Sequence, residues 1–385
     1  MAVAAAHRKK APIAGVNGAA HIATHSVFVE NDISTCVEVL MIDLHCDTVY
    51  SLWKSGSDET LLHNSLSVDA RKMREGGVTA QCFALFVPMH DHVPENHGGK
   101  TPWRILLELY KRFRKEIHES GGVFRQARST DDLLRNERDG VLSAILTTEE
   151  GGLLEGRIER LEAIKEMGVK IFSLTWNYEN ELGYPNSTDP SVMNKGLKEL
   201  GFETVEELDR LGILVDVSHL SDGGFWDVAR VSRQLGRPFV ATHSDARAIT
   251  PQTRNLTDPM LRELADCGGV AGLNFCPAFL SSPDEASGEL LQQAPTGDGP
   301  IPPSMISRIE DMVRHVLHVR NVAGCECLAL GTDFDGIGGV LEIDTSAKLP
   351  LLRDALHDAG MSESELDRMW KGNAMRMFRA MERPF

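Results

Sequence analysis

Eight apolar runs, each followed by a helical pattern, constrain this chain more than any other feature. They are MIDLHCDT (41–48), VTAQCFALFVP (78–88), VLSAILTTEEG (141–151), VKIFSLTW (169–176), ILVDVSHL (213–220), PFVATHS (238–244), GVAGLNFC (269–276) and CLALGTDFDG (327–336). They are continuously apolar, as parallel strands buried on both faces should be. Between them Ile158, Leu161, Ile164 and Met167 recur at helical spacing, and Gly168 supplies a stop. Residues 222–235, 257–266 and 304–320 also read as helices. Eight strands alternating with helices predict a (β/α)8 TIM barrel. The alternative is an open doubly wound sheet, but no glycine-rich fingerprint follows the first strand.

A barrel can use most of the 385 residues as one domain. Residues 1–40 are Ala-rich and weakly periodic, so they read as an extension that is either poorly ordered or precedes the true start at Met41. Residues 41–385 then form a single catalytic domain. Residues 281–303, rich in Pro, Gly, Ser and Gln, read as a long loop after the seventh strand.

With 40 Lys and Arg against 56 Asp and Glu, the formal charge is −16, which disfavours nucleic acid as a partner. No apolar run has the length of a membrane span, and neither terminus resembles a secretion signal or lipid-anchor signal. The seven cysteines are scattered and odd in number, which fits a reducing compartment. A cytoplasmic protein without a membrane partner is the expectation.

Barrel enzymes place their chemistry at the C-terminal strand ends. There this sequence puts His45 and Asp47, then Glu149 and Glu150, His219, His243, and Asp333. Imidazoles and carboxylates are the ligands of zinc. Two ions are expected, one on His45, Asp47 and a carboxylate, the other on His219, His243 and the same carboxylate. Asp333 is left to take a proton from a shared water and pass it to a leaving amine. Strand periodicity alone does not choose between the adjacent Glu149 and Glu150.

A lone strand-end histidine is more often a packed structural group, but charges collected at five strand ends are costly unless paired or metal-bound. Other clusters read as non-catalytic. His90, Asp91, His92 and His97 suit a solvated loop, and His315 and His318 suit a surface or packing role. Cys46 reads as core, Asp216 points away from His219, and Asp335 is a candidate for support of the site.

Together Asp43-Leu44-His45-Cys46-Asp47, Glu150-Gly151-Gly152, Asp216-Val217-Ser218-His219, His243-Ser244, Arg254-Asn255 and Gly331-Thr332-Asp333-Phe334-Asp335-Gly336 resemble the membrane (renal) dipeptidase family over residues 41–380. These are zinc peptidases with a metal-dependent-hydrolase barrel. The resemblance implies two zinc ions per chain, one on His45, Asp47 and Glu150 and one on Glu150, His219 and His243. It implies Glu150 as the bridge, because the family carboxylate precedes Gly-Gly. It also implies Asp333 as acid and base, and Arg254 as the grip on a substrate carboxylate.

One departure stands out. Where the mammalian-type pattern has Thr-His, this chain has Thr175-Trp176. Indole donates one hydrogen bond and carries no proton. Trp176 is then a wall of the pocket, and Asn177 or Asn180 the replacement donor.

The expected function is binuclear zinc hydrolysis of dipeptides, including those with a C-terminal D-residue. The resemblance also admits a homodimer. The rivals are another amide or ester hydrolase on the same barrel, and a non-catalytic zinc-binding protein. No lysine stands at a strand end for carboxylation, which disfavours many of the former; the intact ligand set disfavours the latter.

Overall fold

The computed structural model describes residues 41–89, 99–281 and 305–382. The expectations for residues 1–40, for His90, Asp91, His92 and His97, and for most of the loop 281–303 lie outside the described residues.

All eight predicted strands are present: β1 (Met41–Cys46), β2 (Val78–Phe86), β3 (Leu142–Glu149), β4 (Val169–Ser173), β5 (Leu214–Asp216), β6 (Val240–Ala241), β7 (Val270–Leu273) and β8 (Leu328–Leu330). Each pairs in parallel with the next, and β8 pairs with β1 through Leu330 and Asp43, so the barrel closes. Closure removes the sheet edges and brings every strand end to one rim. A short strand, Phe124–Ala127, flanks the first half of β3.

The anticipated helices follow. The 222–235 segment is Asp222–Leu235, capped by the Ser221 hydroxyl, which accepts from Gly224 N, and closed by Gly236 in the left-handed region. The helix expected at 257–266 is Asp258–Asp266 with Thr257 as its cap. Residues 158–167 yield Arg160–Met167, ended by Gly168 at φ 88°. The helix expected at 304–320 starts later, at Ile309, and ends at Ala323.

One apolar cluster draws on all eight strands, including Ile42, Leu44, Cys82, Ile145, Ile171, Leu214, Val240, Val270 and Ala329. Residues from every strand of a closed barrel can meet only inside it. Met377, Phe378 and Met381 of the last helix, Asn373–Glu382, join this cluster and plug its lower end. A larger cluster packs the helices onto the barrel exterior, with Phe83, Phe113, Phe172, Phe225 and Phe239 fully buried.

Candidate metal centre

The inward position of Ile145 decides which glutamate enters the barrel. Side chains alternate along a strand, so Thr147 and Glu149 share the face of Ile145, while Glu150 falls on the other. The pairing of β2 with β3 agrees, setting Cys82 beside Ile145, Ala84 beside Thr147 and Phe86 beside Glu149.

Glu149 Oε1 lies 3.0 Å from His219 Nε2 and 3.7 Å from His243 Nε2, and Oε2 lies 3.3 Å from His45 Nε2. The resemblance places Glu150 here; in the structure it is Glu149 that faces the imidazoles. Glu150 is buried, but its carboxylate accepts three N–H groups: Gly152 N at 2.5 Å, Trp176 N at 2.9 Å and Asn180 Nδ2 at 2.6 Å. It sits just past β3 at φ 90° and fastens that strand end to the loop after β4. A Glu-Gly-Gly motif marks this turn; the alternation set from inside the barrel picks the residue before it.

The remaining sequence-predicted groups converge on Glu149. His45 Nε2 lies 3.5 Å from Asp47 Oδ2 and 3.9 Å from Asp333 Oδ1. The rings of His45 and His243 stack with centroids 3.8 Å apart. Two sets of potential ligand atoms each lie within 4.8 Å of one another: His45, Glu149 and His243, and His45, Asp47 and Asp333. All these residues are at most 8% exposed. His219 and Asp333 adopt left-handed backbone angles, φ 68° and 62°, which cost about 1–3 kcal/mol each and are tolerated chiefly where a site needs them.

Hydrogen bonds fix two of the imidazoles. The single proton of Thr242 Oγ1 goes to Asp216 Oδ2 at 2.7 Å, so Oγ1 accepts from His243 Nδ1 at 2.7 Å. His219 Nδ1 donates to Asn177 Oδ1 at 2.9 Å. Both Nε2 atoms are thereby left with lone pairs, and they face each other at 3.0 Å beside a carboxylate. His45 Nε2 and Asp47 Oδ1 are buried without a hydrogen bond. Opposed lone pairs and buried polar atoms left without a hydrogen bond are unfavourable on their own. A divalent cation satisfies them, and nitrogen and oxygen donors suit zinc.

The electrostatics point the same way. Burial raises Glu149 to about 7 against the pull of His45, and raises Asp333 to about 8, with Asp47 and Glu149 adding to the rise. Burial alone would lower His45, but Glu149 and Asp47 outweigh it and hold the ring well above its ordinary range. Burial, with the charges of Arg254 and His45, drives His219 and His243 well below theirs. A bound cation inverts this pattern by favouring every carboxylate in its charged form.

Several supporting residues escaped the sequence reading. Asn274, just past β7, donates through Nδ2 to Asp333 Oδ2 at 2.9 Å, and its own backbone N–H reaches Asp245 Oδ1 at 3.0 Å. A Cβ on Gly336 would collide with Asp47 Oδ2 and Asp333 Oδ1, so only glycine lets this backbone pass the two carboxylates. The run Gly331 to Gly336 was visible; its reason was not.

Other predicted residues are placed as follows. Arg254 is 3% exposed, donates to Ser244 Oγ at 2.6 Å and lies over the Phe279 ring. Asn177 holds His219, so its carbonyl is not available to a substrate. Asn180 is committed to Glu150, the Leu174 carbonyl and the Leu182 and Gly183 amides, which removes it as a replacement donor. Trp176 stands at the mouth, its ring 6.5 Å from that of His219.

The residues judged peripheral have structural duties. Asp335 turns away to accept from Thr48 Oγ1 and Ser67 N, and so leaves the site. His315 is a buried strut between Ala246 N and the Leu280 carbonyl, and His318 pairs with Asp258. Cys46 belongs to the core. Lys170, a barrel-strand lysine, lies at the opposite end, 3.9 Å from Glu382.

Barrel, strand-end imidazoles and buried carboxylates together define a hydrolase of the metal-dependent barrel class. A family model for membrane dipeptidase, peptidase family M19, matches residues 31–384. The chain belongs to that family and is a metallo-dipeptidase by it. An uncharacterized protein in the pqqA 5' region of Klebsiella pneumoniae is 33% identical over 284 residues, covering 72% of this chain and 96% of its own. An uncharacterized dipeptidase of Schizosaccharomyces pombe is 26% identical over 361 residues, 90% of this chain and 82% of its own. A solved structure described as a dipeptidase and metallopeptidase of family M19 is 26% identical. It superposes with a TM-score of 0.74, covering 89% of this chain and 98% of that one.

Proposed function

We propose that this metallo-dipeptidase is binuclear and zinc-dependent, and that Glu149 is the carboxylate shared by the two ions. The observation that carries the reading is the meeting of both Glu149 oxygens with imidazoles from three other strand ends. His45, Asp47 and Glu149 would hold one ion, and Glu149, His219 and His243 the other. Zinc held there lowers the pKa of a bound water and polarises the scissile carbonyl.

The chain's own residues do the rest. Asp333 keeps Oδ2 tied to Asn274 and presents Oδ1 toward His45, where it can take a proton and return it to the departing amine. Asn177 and Thr242 hold two rings with their lone pairs inward. Arg254 supplies a guanidinium fork suited to the free carboxylate of a dipeptide. Substrates are short peptides with a free amine and carboxylate, including those with a C-terminal D-residue.

The test is hydrolysis of L,L and L,D dipeptides and an amidated control by metal-stripped protein, with and without zinc. Zinc-dependent cleavage that spares the amidated control is expected. Protein that rebinds two zinc ions yet cleaves no dipeptide would refute the substrate. Glu149→Gln should lose metal, whereas Glu150→Gln should keep it; the reverse outcome would return the bridge to Glu150.

A further inference from the structure

A row of aromatic rings lines one side of the barrel mouth, and the ligand set does not account for it. Tyr50 meets Phe86 edge to face at 4.9 Å, Phe86 meets Trp176 at 4.8 Å, and Trp176 lies 5.7 Å from Tyr178. All four are only part-buried. Part-exposed aromatic rings in one contiguous row are the kind of apolar surface that marks a binding site.

The row is tied to the reaction centre. Phe86 pairs with Glu149 at the last register position of β2 and β3. Trp176 is anchored through its backbone N–H on Glu150 and sits beside His219. The Glu150 fastening thus fixes the wall, while Glu149, one residue earlier, faces the imidazoles.

Topology gives the wall a direction. Tyr50, Phe86 and Trp176 follow or end β1, β2 and β4, and Arg254 lies in the segment after β6, which stands opposite β2 in the ring of eight. A dipeptide whose carboxylate sits at Arg254 therefore extends its other residue toward the rings. We infer that Tyr50, Phe86, Trp176 and Tyr178 form a subsite for a large apolar or aromatic side chain on the N-terminal residue of the substrate. This rests on the dipeptidase reading above and on Arg254 as its carboxylate anchor.

The experiment compares kcat/KM for Phe-Ala, Leu-Ala and Gly-Ala, and for Ala-Phe, on zinc-loaded wild-type protein and on Trp176→Ala. A hydrophobic pocket discriminates by about 10–200-fold for each group it buries. Wild type should favour Phe-Ala over Gly-Ala by at least about 10-fold, and Trp176→Ala should bring that ratio toward one. Phe86→Leu, milder in the packed strand end, should lower it by less, and thermal melts on both variants would show whether they fold. A Phe-Ala to Gly-Ala ratio near one in wild type, or a ratio unmoved by either folded variant, overturns the subsite while leaving the dipeptidase reading intact. A preference for Ala-Phe over Phe-Ala overturns the direction assigned. No turnover of any dipeptide overturns both readings.

Discussion

Two seams of the barrel are built alike and end differently. Between β1 and β8, buried Asp43 accepts Thr332 N at 2.9 Å and Thr332 Oγ1 at 2.7 Å; between β5 and β6, buried Asp216 accepts Thr242 N at 2.9 Å and Thr242 Oγ1 at 2.7 Å. Each aspartate also takes the amide two residues ahead of it, His45 N or Ser218 N. In both seams the residue after the threonine belongs to the site: Asp333 in one, His243 in the other. The remaining partners separate them. Asp43 receives the Gln81 amide, and its burial raises its pKa. Asp216 receives Ser173, and the Thr242 hydroxyl passes the chain of bonds on to His243 Nδ1. One seam therefore only aims a carboxylate, while the other also fixes a tautomer. On the proposed mechanism, identical strand fastenings serve proton transfer at one point and metal affinity at another.

The ends of the seams should differ most. Asp333→Asn is expected to cut kcat by about 10²–10⁴-fold with zinc affinity little changed, the usual reach of a general acid–base. His243→Ala should instead release zinc. Zinc titration and steady-state rates on both variants check this, and zinc loss in Asp333→Asn would erase the distinction.

The threonines sharpen the contrast. Valine keeps the backbone N–H and removes the hydroxyl. Thr242→Val frees the His243 tautomer and should weaken zinc binding by about 10–100-fold. Thr332→Val should leave zinc binding near wild type and lower kcat by about 10-fold through a looser Asp333. Equal zinc affinities in the two variants would mean the hydroxyl does not govern His243.

Asp43→Asn and Asp216→Asn test what the seams share. Each turns an acceptor into an amide facing donors, at about 1–3 kcal/mol for each buried group left unpaired. Both should melt several degrees lower, and only Asp216→Asn should also lose zinc affinity. A melt unchanged from wild type would deny the seam its structural part.

The smallest effect is on pH dependence. In metal-free protein Glu149 and Asp333 are raised by burial to about 7 and about 8, above their ordinary values near 4. The folded state then binds more protons than the unfolded one. The associated stability is present at low pH and is lost as pH rises through 7 to 8. Above the range in which His219 and His243 titrate in the unfolded chain, the metal-stripped protein should therefore melt higher at pH 7 than at pH 8.5, and zinc should reverse the trend because its ligands must be deprotonated. Parallel curves with and without zinc would show that Glu149 is not its ligand.

The sequence by itself determined the barrel. Eight continuous apolar runs separated by helical spacing have few other ways to bury both faces of each strand, and the structure returns all eight in order. It also determined which strand ends carry imidazole and carboxylate, because those residue types stand where barrel chemistry must stand. Only tertiary structure shows that Glu149 and not Glu150 faces the imidazoles, since the alternation in β3 has no inward reference until Ile145 meets the other strands inside the barrel. Only tertiary structure revealed Asn274, the reason for Gly336 and the pairing in the two aspartate–threonine seams, whose partners lie 26 to 289 residues apart and share no local pattern. Residue type and spacing are local quantities that a chain displays openly. Which face is inward, and which distant donor meets which acceptor, exists only after the barrel has closed.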